Sequence, residues 1–212
     1  MWSECPDFMN LIEKATVIHY HRHRIGKFRA GTVEALGWRG PQNQLRRFEV
    51  LLQLGNFAGC SVLDAGCGHG DLKGFLDGHC PGFTYIGIDQ VPEFIVQAAV
   101  RYGSLPDTHF SRADFTQAQL PKVDYVIASG AFSYRCADAG HYFRMISKLF
   151  EAANIGLAFN MLDAAVFPRH DLLIGHDRSQ VEAFCRSIAS RIEVITGYLE
   201  DDFTVFMYHH VH

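Results

Sequence analysis

From residue 61 onward, short apolar runs alternate with segments whose apolar residues recur at helical spacing. The run SVLDAG (61–66) is compact and rich in apolar residues, as buried parallel strands are. The runs TYIGID, THFSRAD, VDYVIASG and NIGLAFNML predict four further strands. Between the second and third runs, PEFIVQAAVRYG begins with Pro and ends with Gly, which predicts a helix. Such alternation is typical of an α/β fold with a parallel sheet.

The end of the chain breaks this pattern. RIEVITGYL and FTVFMYHH read as two strands separated only by EDD, which is too short for a helical crossover, so they should pair antiparallel. We therefore predict a doubly wound, seven-stranded, mostly parallel sheet with a C-terminal antiparallel hairpin. Before the hairpin, a helix is expected to open at Ser179, with Glu182 completing a capping box. Its expected core face consists of Val181, Phe184, Cys185 and Ile188.

Residues 1–58 lack the strand pattern and are rich in helix formers. The stretch PQNQLRRFEVLLQLG predicts a helix with Pro41 at its start, Gly55 at its end and one apolar face. We expect residues 1–58 to form a helical cap packed on a main domain that comprises residues 59–212.

Composition narrows the function classes. The chain has 212 residues, a net charge of −4 and 48% hydrophobic residues. This balance argues against a general nucleic-acid binder. The opening has no uninterrupted apolar stretch typical of an export signal, and no run is long enough to span a bilayer, so a cytoplasmic protein without membrane association is expected. None of the six cysteines forms a C-x-x-C pair or has zinc-site spacing.

A glycine-rich turn follows the first predicted strand, where Gly66, Gly68 and Gly70 form G-x-G-x-G. Glycine lets the backbone turn tightly and approach a ligand without a Cβ in the way. A dinucleotide fingerprint would place its third glycine at position 71, where this chain has Asp71. A carboxylate at a helix N-terminus would repel a pyrophosphate, so a ligand without phosphates fits better and an NAD-dependent oxidoreductase is disfavoured.

Three carboxylates surround this predicted turn. Asp89 ends the second strand, where a carboxylate can accept both hydroxyls of an adenosine ribose. Asp114 follows the third strand and is placed to accept a hydrogen bond from an adenine amino group, and Asp64 precedes the glycines. An adenosine without phosphate, combined with a positively charged centre, points to S-adenosylmethionine.

These motifs resemble those of the class I S-adenosylmethionine-dependent methyltransferases. VLDAGCGHG is similar to the family's first motif, GIDQ to its ribose-binding acid, ADF to its adenine-binding acid and VDYVIASGAF to its fourth motif. ALGWRGPQNQLRRFEVL, AFNML and YLEDDFTVF further resemble a bacterial subgroup of small methyltransferases without an assigned acceptor. The resemblance implies a Rossmann-like fold, S-adenosylmethionine as cofactor with S-adenosylhomocysteine as product, and these cofactor-binding residues: Asp64, Gly66, Cys67, Gly68, Gly70, Asp89, Gln90, Ala113, Asp114, Phe115, Ser129 and Gly130.

The predicted cap helix offers two further candidates. Gln44 and Arg47 lie one helical turn apart and would share a face. If that helix covers the end of the first strand, Arg47 could pair with the methionine carboxylate. Trp38 is expected to pack within the cap rather than to stack on a ligand.

HYHRHRIGKFR (19–29) contains three His and four Lys or Arg without an acid. A solvated basic face, an entrance that attracts an anionic acceptor, and a metal site are the three interpretations. No metal is expected, because the histidines lack supporting carboxylates. Should the acceptor need a general base, His19, Tyr20, His21 and Tyr134 are the candidates.

The sequence thus predicts methyl transfer to a small-molecule acceptor that bears a carboxylate, phosphate or phosphonate. SGAF stands where amino-methylating DNA enzymes have an acid or Asn, two prolines and an aromatic residue, so a nucleic-acid acceptor is not expected. A non-catalytic S-adenosylmethionine-binding or partner-binding protein on the same fold is the alternative, since fold does not determine activity.

Overall fold

A computed structural model describes residues 9–210. The ends of the predicted cap and main domain, residues 1–8 and 211–212, lie outside this range. The helices are α1 (Leu11–Phe28), α2 (Pro41–Leu51, continued by a 3₁₀ turn, Leu52–Leu54), α3 (Asp71–Asp77), α4 (Pro92–Tyr102), α5 (His141–Ala152) and α6 (Arg178–Ile188). The strands are β1 (Ser61–Ala65), β2 (Thr84–Asp89), β3 (Thr108–Arg112), β4 (Val123–Ala128), β5 (Ala153–Leu162), β6 (Arg191–Thr196) and β7 (Asp202–Tyr208).

The seven strands form one sheet in the order β3-β2-β1-β4-β5-β7-β6. Strands β1 to β5 pair in parallel, whereas β7 pairs antiparallel with both β5 and β6. The chain runs outward from β1 in both directions, so the carboxyl ends of β1 and β4 meet where the strand order reverses. In open sheets of this kind, ligands bind in the crevice at that point. The predicted sheet and its hairpin are confirmed.

Alternate residues of each central strand point to opposite faces of the sheet, and both faces are buried. On β1, Leu63 packs with the cluster covered by α5 and α6, whereas Val62 packs with the cluster covered by α2 and α3. Strand β5 divides in the same way between Phe159 and Ala158. Coverage on both faces explains why these strands read as continuous apolar runs rather than as alternating ones.

Helix α6 begins earlier than the sequence predicts. It starts at Arg178 and its N-cap is Asp177, whose carboxylate accepts a hydrogen bond from the Gln180 amide; the predicted start at Ser179 is wrong. Asp is as good an N-cap as Ser, and it comes first in the chain. Ile188 is 39% exposed, so the prediction that it belongs to the core face of this helix is wrong.

Helix α1 is the element that the sequence pattern described least. Asn10 caps it, and Glu13 completes a capping box. The Glu13 carboxylate also accepts a hydrogen bond from the Ala137 amide at 2.7 Å, which attaches the start of the helix to the segment after β4. Within residues 9–210, no helix is long and apolar enough to cross a membrane.

Candidate functional site

A cavity lies at the carboxyl ends of β1, β2, β3, β4 and β5, beneath α1, α2 and the loop that joins them. The topology brings the loops after these five strands to one edge of the sheet. Most of the predicted site residues line this cavity, and they are Gln44, Arg47, Asp64, Gly66, Cys67, Gly68, Asp89, Gln90, Asp114, Phe115, Ser129, Gly130, Tyr20, His21 and Tyr134.

Three predicted residues do not line the cavity. Gly70 is the N-cap residue of α3, and a Cβ there would lie 3.0 Å from the Phe110 ring. Ala113 packs against the hydrophobic core instead. His19 is exposed on the outer face of α1. The roles assigned to these three residues stay predictions.

The turn between β1 and α3 requires glycine. Gly66 and Gly68 have φ values of +85° and +54°, in the left-handed region that other residues rarely adopt. A Cβ on Gly68 would lie 2.6 Å from Leu36 Cδ2, so the Leu36 side chain would have to move if any side chain stood there. The turn is compact because the amides of Gly66 and Cys67 both donate to the carbonyl of Ile88 on β2.

Asp89 holds the glycine turn to the end of β2. One carboxylate oxygen accepts a hydrogen bond from the Gly68 amide at 3.0 Å, and the other accepts one from the Val91 amide at 2.8 Å. Burial raises the pKa of Asp89 to about 6, although these backbone hydrogen bonds oppose the rise. Each oxygen keeps a lone pair for a further donor, such as a ligand hydroxyl.

Asp64 lies deeper, at the end of β1. Its Oδ2 accepts a hydrogen bond of 2.5 Å from the Tyr85 hydroxyl, whereas its Oδ1 is buried without a partner. Burial raises the pKa of Asp64 to about 7. A buried carboxylate oxygen without a donor is costly, and a ligand that brings one would relieve that cost.

Asp114 is paired with the cap. Its Oδ2 lies 2.7 Å from the ammonium of Lys14 on α1, and its Oδ1 accepts hydrogen bonds from the backbone and hydroxyl of Thr116. Burial opposes ionisation, but Lys14 and Thr116 together lower the pKa of the carboxyl below its usual value. Helix α1 thus contacts the residue that the sequence assigns to adenine recognition.

Two polar side chains without complete hydrogen bonding lie where β4 and β5 end. Asn160 Oδ1 accepts a hydrogen bond from the Gly130 amide at 2.7 Å, while its Nδ2 is buried without a partner. The hydroxyl of Ser129 is also buried and unpartnered. Both residues line the cavity, so both can donate a hydrogen bond to a ligand.

Helix α2 contributes a cation, Arg47, that already has an anionic partner. Arg47 forms an ion pair with Asp202 at the start of β7, and its guanidinium lies 4.4 Å from the ring centroid of Trp38. The Gln44 amide donates to Asp71 at 3.1 Å, and Asp71 also accepts a hydrogen bond from Arg101. Trp38 covers Gly130, where a Cβ would overlap its indole. Trp38 therefore packs between Arg47 and Gly130, and it also lines the cavity.

Helix α1 carries the basic run, and only one of its faces meets the cavity. The two arginines at the centre of the run have partners outside the cavity. Arg22 pairs with Glu93 on α4, and Arg24 donates to the carbonyl of Glu34. The cavity itself is lined by more acids than cations: Lys14, Arg39 and Arg47 against Asp64, Asp71, Asp89, Asp114, Asp201 and Asp202. Among residues 9–210, no group of three or more His, Cys, Asp or Glu could hold a metal ion.

His21 and Tyr134 meet at the cavity wall. The Tyr134 hydroxyl lies 2.5 Å from His21 Nε2, and His21 Nδ1 lies 3.4 Å from the carbonyl oxygen of Ala35. Burial lowers the pKa of His21 to about 4, so the imidazole is neutral at neutral pH. Of the four candidate bases, these two are joined by a hydrogen bond.

Several cavity residues were missed by sequence reasoning. Asn160 carried a signal that could have revealed it, since it is a polar residue inside an otherwise apolar strand. Asp201 and Asp202 lie in the predicted hairpin turn, where acids are common, so their position gave no signal of a ligand site. Lys14 reaches the cavity only because α1 crosses the strand ends, which sequence periodicity does not specify.

A family model described as a methyltransferase domain matches residues 63–153, which include the glycine turn, Asp89, Asp114 and the loop after β4. The fold as a whole is similar to that of solved methyltransferases. Residues 63–153 are therefore similar to a methyltransferase domain, and the chain has the fold of solved S-adenosylmethionine-dependent methyltransferases.

Proteins similar to this chain are named as methyltransferases. A relative from Mycobacterium tuberculosis, provisionally named as a methyltransferase, is 28% identical over 156 residues, covering 69% of this chain and 92% of its own. Magnesium protoporphyrin IX methyltransferase from Synechocystis PCC 6803, solved with S-adenosylmethionine, has a TM-score of 0.67 at 19% identity, covering 99% of this chain and 100% of its own. The N-methyltransferase NodS from Bradyrhizobium japonicum, solved with S-adenosylhomocysteine, has a TM-score of 0.64 at 19% identity. The match covers 81% of this chain and 89% of NodS.

Proposed function

We propose that this protein binds S-adenosylmethionine in the cavity and transfers its methyl group to a small-molecule acceptor. The observation that carries the proposal is the buried Asp89 carboxylate, which is fixed by two backbone amides and keeps lone pairs for two ligand hydroxyls. The glycine turn beside it leaves room for the ligand, and unpartnered donors and acceptors lie further along the same cavity. These residues fit an adenosine that carries no phosphate.

Roles for the individual residues follow from this placement. In the proposal, Asp89 and Gln90 bind the ribose, and Asp114 and Phe115 bind the adenine. In the same proposal, Asp64, Ser129 and Gly130 bind the methionine part, together with Arg47 and Gln44 from α2; all five line the cavity. When bound, the sulfonium supplies an electrophilic methyl group, and the chain aligns the acceptor for in-line displacement.

Residues 1–58 are proposed to act as the cap of this site. In the part of the cap that the structure describes, Lys14 reaches Asp114, and Leu36 and Trp38 cover Gly68 and Gly130. A cap that covers the strand ends leaves an enclosed space, which favours a small acceptor over a protein or a nucleic acid.

Calorimetry tests the cofactor part. S-adenosylmethionine and S-adenosylhomocysteine should both bind the wild-type protein, whereas NAD should not. Asp89→Asn keeps the size of the side chain and removes its charge, so it should weaken binding of both nucleosides. Tyr198→Phe loses one phenol hydroxyl, which bonds Thr204 outside the cavity, and serves as the control. Equal affinity of wild type and Asp89→Asn would remove the ribose assignment.

Turnover separates the enzyme from the non-catalytic alternative. A metabolite screen that measures release of S-adenosylhomocysteine should find at least one acceptor. The screen should include carboxylate-bearing and phosphate-bearing compounds, because the basic run predicts an anionic acceptor. It should also include neutral compounds, because Arg22 and Arg24 have their partners outside the cavity. Binding of the cofactor with no turnover across all acceptor classes would favour a binding protein on the same fold.

A further inference from the structure

From the geometry of His21 and Tyr134 we infer that these two residues form a proton-accepting dyad, and that the acceptor presents a protonated hydroxyl to Tyr134. This inference rests on the proposed function and narrows it, since it names the chemical class of the acceptor and a base for it. Both side chains line the same cavity as Asp89 and the glycine turn.

The direction of each hydrogen bond follows from the partners. The carbonyl oxygen of Ala35 can only accept, so the hydrogen of the neutral imidazole lies on His21 Nδ1, which faces it at 3.4 Å. The Nε2 atom then carries a lone pair and accepts the hydrogen bond from the Tyr134 hydroxyl at 2.5 Å. With its only hydrogen so engaged, the Tyr134 oxygen can bind a further partner only as an acceptor. That partner must therefore be a donor.

Two helical elements hold the dyad in place. His21 projects from α1 and is buried, with its ring packed edge-on against Phe94 at a centroid distance of 4.9 Å. Tyr134 follows β4, and its backbone carbonyl accepts a hydrogen bond from the Tyr142 hydroxyl of α5. The loop after β4 also carries Ser129 and Gly130, the residues proposed to lie near the methionine part.

The chemistry balances without another reactant. The acceptor oxygen forms a bond to the methyl carbon while the carbon–sulfur bond breaks and its electron pair goes to sulfur. The hydroxyl proton moves to the Tyr134 oxygen, and the proton of Tyr134 moves to His21 Nε2. The sulfonium charge disappears and an imidazolium appears, so the net charge of the site is conserved; the imidazolium later releases its proton to water.

The environment of the dyad favours oxygen over nitrogen as the methylated atom. Burial lowers the pKa of His21 to about 4, and the neighbouring Arg24 and His69 act in the same direction. A neutral amine already has the lone pair that attacks the methyl group, whereas a hydroxyl becomes a strong nucleophile only as its proton leaves. A proton-accepting dyad therefore serves an oxygen acceptor. Burial also raises the pKa of the Tyr134 phenol well above its usual value, which keeps it protonated in the resting protein.

The test compares acceptors that differ only in whether the hydroxyl is ionised. Wild type, Tyr134→Phe and the control Tyr198→Phe are assayed with the hydroxyl acceptor found by the screen, or with phenol as the probe, and with pentafluorophenol, which is ionised at neutral pH. Tyr134→Phe should lower kcat for the protonated hydroxyl by about 10²- to 10⁴-fold. It should lower kcat for the ionised hydroxyl by less than about threefold, because no proton remains to be taken. The dissociation constant of S-adenosylhomocysteine should change by less than about threefold.

A structural role alone would lower both activities equally, and that result would overturn the dyad while leaving the proposed function intact. Methylation of amines, thiols or carboxylates with no turnover of any hydroxyl compound would overturn the dyad in the same way. A loss of activity in Tyr20→Phe that Tyr134→Phe does not show would also overturn it. Absence of turnover in every acceptor class would overturn both proposals.

A second readout needs no turnover. In protein labelled with ¹⁵N-histidine and saturated with S-adenosylhomocysteine, His21 should be a neutral imidazole with its hydrogen on Nδ1 at pH 7. A hydrogen on Nε2 would make His21 the donor to Tyr134, so it could not take the proton, and the inference would be wrong.

Discussion

The ion pair between Arg47 and Asp202 attaches the cap to the sheet, and its removal should destabilise the fold. Arg47 lies on α2 and Asp202 starts β7, and their side chains are only 7% and 2% exposed. Burial raises the pKa of the Asp202 carboxyl, while Arg47 opposes that rise. The further contacts of the guanidinium are the Trp38 ring and the Asn43 carbonyl.

The perturbation is Asp202→Asn, which keeps the shape of the side chain and leaves a buried guanidinium without its counter-charge. Breaking a buried pair in this way costs about 3–5 kcal/mol. A neighbouring pair on the same helix supplies the control: Arg46 and Glu49 are 61% and 43% exposed, so Glu49→Gln should cost less than about 1 kcal/mol. Because a domain is stable by about 5–15 kcal/mol in total, the first change is large and the second small.

The assay is urea-induced unfolding, monitored by circular dichroism. It gives the unfolding free energy of each variant and the slope of that free energy against urea concentration, which is compared among variants. A double variant, Arg47→Met with Asp202→Leu, removes both charges and should recover much of the loss, since apolar residues can replace a buried pair. If Asp202→Asn costs no more than Glu49→Gln at an unchanged slope, the pair does not hold the cap to the sheet. A double variant less stable than either single variant would show instead that the side chains act through packing alone.

Asp89→Asn should weaken binding of S-adenosylhomocysteine at least about tenfold in calorimetry, because two charge-assisted hydrogen bonds are worth about 1.5–3 kcal/mol each before water replaces them. In the wild type the carboxylate is the form that binds, and burial raises its pKa to about 6, so affinity should fall up to about tenfold per pH unit below that value; Asp89→Asn should lose that dependence. Arg22→Ala with Arg24→Ala should raise the KM of an anionic acceptor, and raise it less at high salt, if the basic run attracts it; an unchanged KM would make the run a solvated face. Saturating chelator should leave methyl transfer unchanged, and restoration of a lost activity by one divalent ion would contradict this.

The sheet could be predicted because each of its strands carries its own signal. Buried strands read as apolar runs, and the five-residue link from Thr196 to Asp202 is too short for a crossover, so both pairing directions followed from the sequence. The glycines and carboxylates could be placed for the same reason, since each comes directly after a strand that ends at one edge. The start of α6 was misplaced because Asp177 and Ser179 are both good caps and the sequence does not show which one the helix uses.

The contacts between the cap and the site could not be predicted in the same way, and helix α1 shows why. Its run of histidines and arginines reads as one basic segment, but a helix turns 3.6 residues per turn and divides the run between two faces. Lys14, Val17 and His21 are three to four residues apart and point into the cavity, whereas His19 and His23 point to solvent. That spacing is visible in the sequence, yet it becomes informative only once α1 is known to cross the strand ends. Among the histidines of the run, His21 shares a face with Lys14 and Val17, and it is therefore the candidate base.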